Sequence, residues 1–352
     1  ARQANRQLDI IKNRIYEIYQ NLLNQDIEIV TAKGIRDEYI GVNKSRKLIL
    51  EMFEEHNLTM ERLVGKEFSF RTLQRYKTTK KHLAKYIKSN YKLDDYPLKG
   101  IDVQYINGFI YFLKTKQNLS HNSALKYVAY FKKIIRVACA NGWLDKDPFY
   151  NFKLRAKTID KEFLRKDEID KLIEADFSIP RLSQVRDVFI FSCYTGLAYV
   201  DVAKLKEDDI VIGMDGGRWI KVNRTKTKTL SSIPILPVAE QIISKYASMI
   251  NYENKLLPVY SNQKTNGYLK EIADLSGITK KLTFHMARHT FATTITLSNG
   301  VPIESVSKML GHKSLKTTQH YAKILDIKLS EDMKKLRLRF ENESKLFAKN
   351  IT

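Results

Sequence analysis

The chain has 352 residues, 43% hydrophobic and 28% charged, which excludes a disordered or collagen-like polypeptide and fits two or three globular domains. Lys plus Arg number 61 against 39 Asp plus Glu, a formal charge of +22. Such a surplus attracts polyanions through its field and through counterion release, nucleic acid first and an anionic membrane surface second.

Cys139 and Cys193 lie in apolar helical runs and form no disulfide framework, so a reducing, cytoplasmic setting is expected. No apolar run reaches ~18 residues and no signal pattern opens the chain, so no membrane partner is expected.

In chain order, Leu8, Ile11, Ile15, Ile18 and Leu22 recur at helical spacing. A turn at Thr31 to Arg36 and a shorter helix over Ser45 to His56 follow. Residues 1–62 are thus expected to be a partial N-terminal region without a core of its own. Residues 66–152 read as a helical domain. Its first helix, from Ser69, carries the stripe Leu73, Tyr76, Leu83, Tyr86 and Ile87; further helices follow over Val103 to Leu113 and Ser123 to Ala140. Lys77, Lys80, Lys81, Lys85 and Lys88 interleave with that stripe and are candidate phosphate contacts. Asn151 to Lys161 reads as a linker, with Lys153, Arg155 and Lys157 as further contacts.

Residues 160–352 read as a final domain. Leu164 to Ile169 starts a helix, Leu182 to Tyr194 forms an apolar one stopped by Gly196, and Val200 to Leu205 another. Three short β-prone runs follow: Asp209 to Gly213, Trp219 to Asn223 and Ser232 to Leu236. Helices then resume at about Ala239. Neither a GxGxxG nor a GxxxxGK[ST] motif occurs, so no nucleotide cofactor is expected.

The densest chemical signal lies between Phe284 and Tyr321. His285 and Arg288 are three apart on a helix; Gly300-Val-Pro302 breaks and restarts the chain. Gly311 is placed as the residue just past a helix end, with His312 beside it, and Tyr321 rides the next helix. Consecutive helix ends would then deliver two histidines, an arginine and a tyrosine to one place. A zinc site is the weaker reading, because a third close ligand is missing and Cys193 is expected to be buried. No metal is expected.

This constellation resembles the tyrosine site-specific recombinases and integrases. His285-Met-Ala-Arg288, Leu310-Gly-His312 and Thr317-Thr-Gln-His-Tyr321 match that family's H-x-x-R, L-G-H and T-T-x-x-Y motifs. The resemblance covers about residues 65 to 350, and the first 60 residues look like the tail of an arm-binding region of Bacteroidetes conjugative-transposon integrases. It implies a mainly α fold: a helical SAM-like core-binding domain, then an α+β catalytic domain with a small three-stranded sheet.

The resemblance also implies roles. Tyr321 would be the nucleophile, forming a 3′-phosphotyrosyl link. Arg288 and His312 would hold the phosphate oxygens, and His285 would orient the phosphate or assist proton movement. Lys226, eight residues before Pro234 on an expected hairpin, would be the general acid, with Arg224 and Lys228 beside it on DNA. The implied partner is double-stranded DNA with specific attachment sites, bound by a homotetramer that is a monomer when free, with an accessory DNA-bending protein. Residues 325–347 would be a tail docking on a neighbouring protomer. One departure stands out: the family's T-G-x-R reads Thr195-Gly-Leu-Ala198 here. Arg186 is the expected substitute cation, with Arg181 and Arg218 in reserve. Strand nicking and resealing of the type IB topoisomerase kind, or a catalytically impaired DNA-binding regulator, are the alternative functions.

Overall fold

The computed structural model describes residues 2–23, 30–39, 47–158, 160–249 and 254–322, and positions 333, 334, 336, 337 and 340. The backbone divides into two compact units, Ala1–Thr158 and Ile159–Thr352.

The first unit is helical: α1 (Arg2–Leu23), α2 (Ala32–Tyr39), α3 (Ile49–Arg62), α4 (Phe70–Tyr91), α5 (Val103–Thr115) and α6 (His121–Ala140). The stretch expected as a turn at Thr31 to Arg36 is instead the start of α2. Thr31 Oγ1 accepts from Gly34 N at 3.1 Å, so a helix begins where glycine suggested a break. The ends of α4 and α5 follow their capping residues. Ser69 Oγ accepts from Thr72 N at 3.2 Å and Asp102 Oδ1 from Tyr105 N at 2.7 Å, and such a cap is worth ~1 kcal/mol.

Phe53, Tyr86, Tyr105, Phe109, Phe131 and Phe149 are fully buried and meet as one aromatic core. Because Ile49, Phe53 and Met60 belong to it, α3 is part of this core, and the boundary expected at residue 62 falls behind an integral helix. The expected linker is also partly fixed. His121 Nε2 bonds Arg155 O at 2.9 Å, and Asn122 exchanges two hydrogen bonds with the Lys157 backbone.

The second unit contains α7 (Lys166–Glu174), α8 (Pro180–Thr195), α9 (Tyr199–Val202), β1 (Ile210–Ile212), β2 (Arg218–Asn223), β3 (Leu230–Pro234), α10 (Pro237–Tyr246) and α11 (Asn262–Leu275). After these come α12 (Phe284–Thr290), a π-helical turn (Phe291–Thr296), α13 (Ile303–Met309) and α14 (Leu315–Ala322). The strands form an antiparallel meander in which Ile220 of β2 faces Ile210 and Ile233. Helix α8 is buried along its whole second half, from Asp187 to Thr195, which is why its sequence is apolar all round rather than striped. It packs against α10, α11 and α12.

Gly196 ends α8 with φ 69°, and a side chain there would also collide with the Phe291 ring. Among the described residues, no helix is long and apolar enough to cross a membrane.

Candidate active site

Helix α12 sends Arg288 inward to 2% exposure, between the loop after α8 and the turn after α13. Its Nη1 donates to Gly196 O at 2.6 Å, and its Nη2 donates to Leu310 O and to His312 Nε2, the latter at 3.2 Å. The turn is made by Gly311, just past the C-cap of α13, with φ 57°. A Cβ there would lie 2.6 Å from Arg224 Cδ, so both backbone angle and close packing demand glycine.

Arg288 can only donate, so His312 Nε2 must accept and its proton sits on Nδ1. That proton goes to Thr318 Oγ1, 2.8 Å away and fully buried on α14. The same helix brings Tyr321 into a small apolar cluster with Phe291, Leu297, Val306 and Leu310. The phenol oxygen lies 3.2 Å from His289 Nδ1, and the Tyr321 ring stacks nearly parallel to His312, at 7° with centroids 6.4 Å apart.

Arg224 enters from the hairpin. Ile220, Val222 and Arg224 alternate along β2 and its extension, so the arginine continues the strand's inward face. Its Nη1 donates to Gly311 O at 3.3 Å, and its Nε lies 4.0 Å from Asp201 Oδ2. Among the described residues that Nε has no hydrogen-bond partner.

The electrostatics follow from burial and crowding of cations. Burial and the neighbouring charge of Arg224 bring Arg288 down to about 10, so it stays charged at neutral pH. Burial, then Arg288 and Arg224, push His312 down to about 4; burial, His285, Lys161 and Arg288 push His289 down to about 3. Both imidazoles are neutral at pH 7. Burial raises the Tyr321 pKa, and Arg288 and Arg224 pull against that rise. Two buried guanidiniums share Asp201 as their nearby carboxylate and aim donors at one region, an arrangement that suits a doubly coordinated oxyanion.

The structure brings together Arg288, His312 and Tyr321 as expected. It adds Arg224, expected only as a DNA contact, and His289 and Thr318, which were not singled out at all. His285 is exposed and stands edge to face with His289, centroids 4.6 Å apart. Lys226 is exposed in the turn between β2 and β3, where its charge bears on His285. Lys228 is exposed in the same turn.

Arg186 does not belong to this group. It leaves α8 ten residues before Gly196, about 15 Å along the axis. Its Nε donates to Asp187 at 2.7 Å and its Nη1 to the carbonyls of Ala175, Ile173 and Leu172 at 2.6, 3.2 and 3.4 Å. It closes the C-terminal end of α7, where a cation is favoured. The reserves are engaged elsewhere too, Arg181 with Glu271 and Arg218 with Glu207 and Glu240.

Of the lysines on α4, Lys77, Lys80 and Lys88 pair with Glu61, Glu54 and Asp94 at 2.9, 2.6 and 2.7 Å. These are surface pairs of small energetic weight, so the side chains can be redirected. Lys81, Lys85, Lys153, Arg155 and Lys157 are exposed. The expected tail helix falls almost wholly outside the described residues.

The fold is mainly α, with an N-terminal SAM-like domain and an α+β domain bearing a three-stranded sheet. Residues 48–154 match the phage integrase SAM-like domain and residues 162–327 the phage integrase family. The chain belongs to the tyrosine recombinase and integrase family. It is 27% identical over 289 residues to the tyrosine recombinase XerD of Listeria innocua, covering 79% of this chain and 96% of that one. To the tyrosine recombinase XerC of Pediococcus pentosaceus it is 26% identical over 302 residues, covering 82% and 97%. Among solved structures it shares its fold with a lambda integrase dimer bound to a COC′ core site (TM-score 0.62, 18% identity, covering 78% of this chain and 95% of that one). It shares it likewise with the Tn1549 transposon integrase bound to circular-intermediate DNA (TM-score 0.62, 16% identity, 78% and 94%).

Proposed function

We propose that the chain cleaves and rejoins DNA strands, with Tyr321 as nucleophile, as the integrase of a mobile element of the conjugative-transposon kind. The observation that carries the chemistry is the phenol of Tyr321 beside Arg288, Arg224 and His312, since a phosphodiester there meets a nucleophile and two guanidiniums at once. The phenol oxygen bonds phosphorus, the P–O5′ bond breaks, and the 5′ oxygen leaves as a hydroxyl. Lys226, on the hairpin turn, protonates that leaving oxygen. Arg288 and Arg224 stabilise the charge that builds on the non-bridging oxygens, and His312 hydrogen-bonds one of them.

Arg224 takes the place of the arginine missing at Ala198. In support, it reaches the cluster from the inward face of the hairpin and keeps an Nε free of hydrogen bonds among the described residues. The mobile-element reading rests on the helical region ahead of the SAM-like domain and on the Ala198 departure, both features of the resemblance. Double-stranded DNA is the substrate, gripped by Lys81, Lys85, Lys153, Arg155 and Lys157, and four copies act on synapsed sites.

The test is to incubate the wild-type chain with nicked duplexes carrying randomised core sequence and to trap protein–DNA adducts. The wild type should yield adducts at a recurrent sequence, and Tyr321→Phe should bind the same DNA without forming any. Adducts in the Tyr321→Phe variant would remove the tyrosine from its role. Transfer of the trapped strand to a second duplex separates recombination from simple resealing.

A further inference from the structure

The resemblance points to His285 as the histidine that assists proton movement, yet the imidazole next to the tyrosine hydroxyl is that of His289. We propose that His289 is a catalytic residue, the base that takes the proton of Tyr321 as the phosphotyrosyl bond forms; this rests on Tyr321 being the nucleophile.

The geometry comes first. His289 Nδ1 lies 3.2 Å from the Tyr321 oxygen, across the space between α12 and α14, with both side chains buried. Arg288 bears on the same phenol oxygen and can only donate. Because Arg288 leaves the oxygen's own hydrogen unclaimed, that hydrogen can go to Nδ1, which places the imidazole proton on Nε2. The packing then holds the pair. Thr293 Oγ1 donates to His289 O, and Tyr321 is walled by Phe291, Leu297, Val306 and Leu310. His285 is exposed and stands edge to face with the His289 ring, and the histidine in hydrogen-bond range of the Tyr321 oxygen is His289.

The protons balance without an outside reagent. As the Tyr321 oxygen bonds phosphorus, its hydrogen moves to His289 Nδ1 and leaves an imidazolium; as the 5′ hydroxyl attacks in reverse, the same proton returns to the phenol. Burial first, then His285 and Arg288 on α12 and Lys161 ahead of α7, disfavour that imidazolium. The negative charge of a phosphodiester held by Arg288 offsets that effect and strengthens the base when it is needed.

The experiment uses the full chain and the core sequence recovered from wild-type adducts, built into one nicked duplex with a normal 5′ bridging oxygen and one with sulfur at that position. His289→Ala and His289→Asn should form the adduct about 10² or more slower than wild type on both duplexes, with DNA affinity and thermal stability near wild type. Lys226→Ala, by contrast, should be slow only with oxygen, because sulfur leaves without a proton. Asn keeps a hydrogen-bonding group near the Nδ1 position but cannot take a proton, so it carries the test if the Ala variant folds poorly. Wild-type rates in His289→Asn, or recovery of either His289 variant by sulfur, would overturn the proposal while the Tyr321 reading stands. If the wild type forms no adduct on any duplex, the reading and the proposal fall together.

Discussion

Two groups of charged side chains are buried in the second unit, and they solve the problem of burial in opposite ways. Around Asp187 the charges close on themselves: one carboxylate accepts from Arg186, from Lys245 at 2.6 Å and from the Tyr246 hydroxyl at 2.8 Å. The Arg186 Nη1 ends on carbonyls at the C-terminal end of α7. Around Arg288 the pairing is incomplete: the Arg224 Nε stops 4.0 Å from Asp201 Oδ2 and has no hydrogen-bond partner among the described residues. Burying a charged donor without a partner is costly, so a group that keeps one open is built to receive an anion, whereas a closed group is built to hold the fold.

That contrast can be broken by experiment. The largest effect is expected at the open group. Arg224→Ala should cut adduct formation on the recovered core sequence by ~10² to 10³, as for loss of one oxyanion donor. Ala198→Arg added to it should restore part of the rate, measured by gel-resolved adduct kinetics. Full activity of Arg224→Ala would show the open group to be structural.

The closed group should respond in stability instead. Arg186→Ala strips a partner from Asp187 but leaves Lys245 and Tyr246, so a loss of about 2 to 3 kcal/mol is expected, below the ~3 to 5 typical of a fully broken buried pair. Urea unfolding measures it, and the adduct rate per folded molecule should stay near wild type. A rate lower by ~10² would return Arg186 to the chemistry.

The smallest effect concerns pH. His289 and His312 have folded pKa values of about 3 and about 4, below the unfolded value near 6.5. The unfolded chain therefore binds their protons first, and their contribution to stability, fully present above pH ~6.5, is lost as pH falls toward 4 and then 3. Each contributes a slope of at most ~1.4 kcal/mol per pH unit. Urea midpoints at pH 7.5 and 5 should fall less in His289→Asn than in wild type; an unchanged slope would mean that the imidazole is not buried in its neutral form.

The same contrast explains what the sequence disclosed. Motif spacing located Arg288, His312 and Tyr321, because helix ends and the glycine at 311 are local features. Ser69, Gly196 and the strand runs likewise signalled element boundaries, whereas α2 was hidden by Gly34 until Thr31 capped it. The choice between Arg186 and Arg224 was not local. Arg186 sits in an apolar run, as a catalytic cation would, but its acidic neighbour Asp187 was the better clue. Arg224 carried a usable signal in the alternation Ile220, Val222, Arg224, which points an arginine to the inside of a sheet. His289 adjoins Arg288, yet nothing in its spacing reveals a tyrosine 32 residues away on another helix.

Gly311 has one further consequence, and it concerns motion. Its carbonyl oxygen accepts from Thr229 Oγ1 at 2.6 Å and Arg224 Nη1 at 3.3 Å, with Thr227 Oγ1 at 3.5 Å, so the hydrogen bonds from the hairpin that carries Lys226 converge on one atom of the turn that leads to Tyr321. A displacement of α14 that dragged this peptide away would break these hydrogen bonds to the hairpin in the same stroke. The pin is light: two such bonds together amount to ~1 to 3 kcal/mol, within the range by which one binding event commonly biases another. On the roles proposed for Lys226 and Tyr321, acid and nucleophile would be disarmed together, and a half-armed site, able to cut but not to release its leaving strand, is the state this joint would make rare.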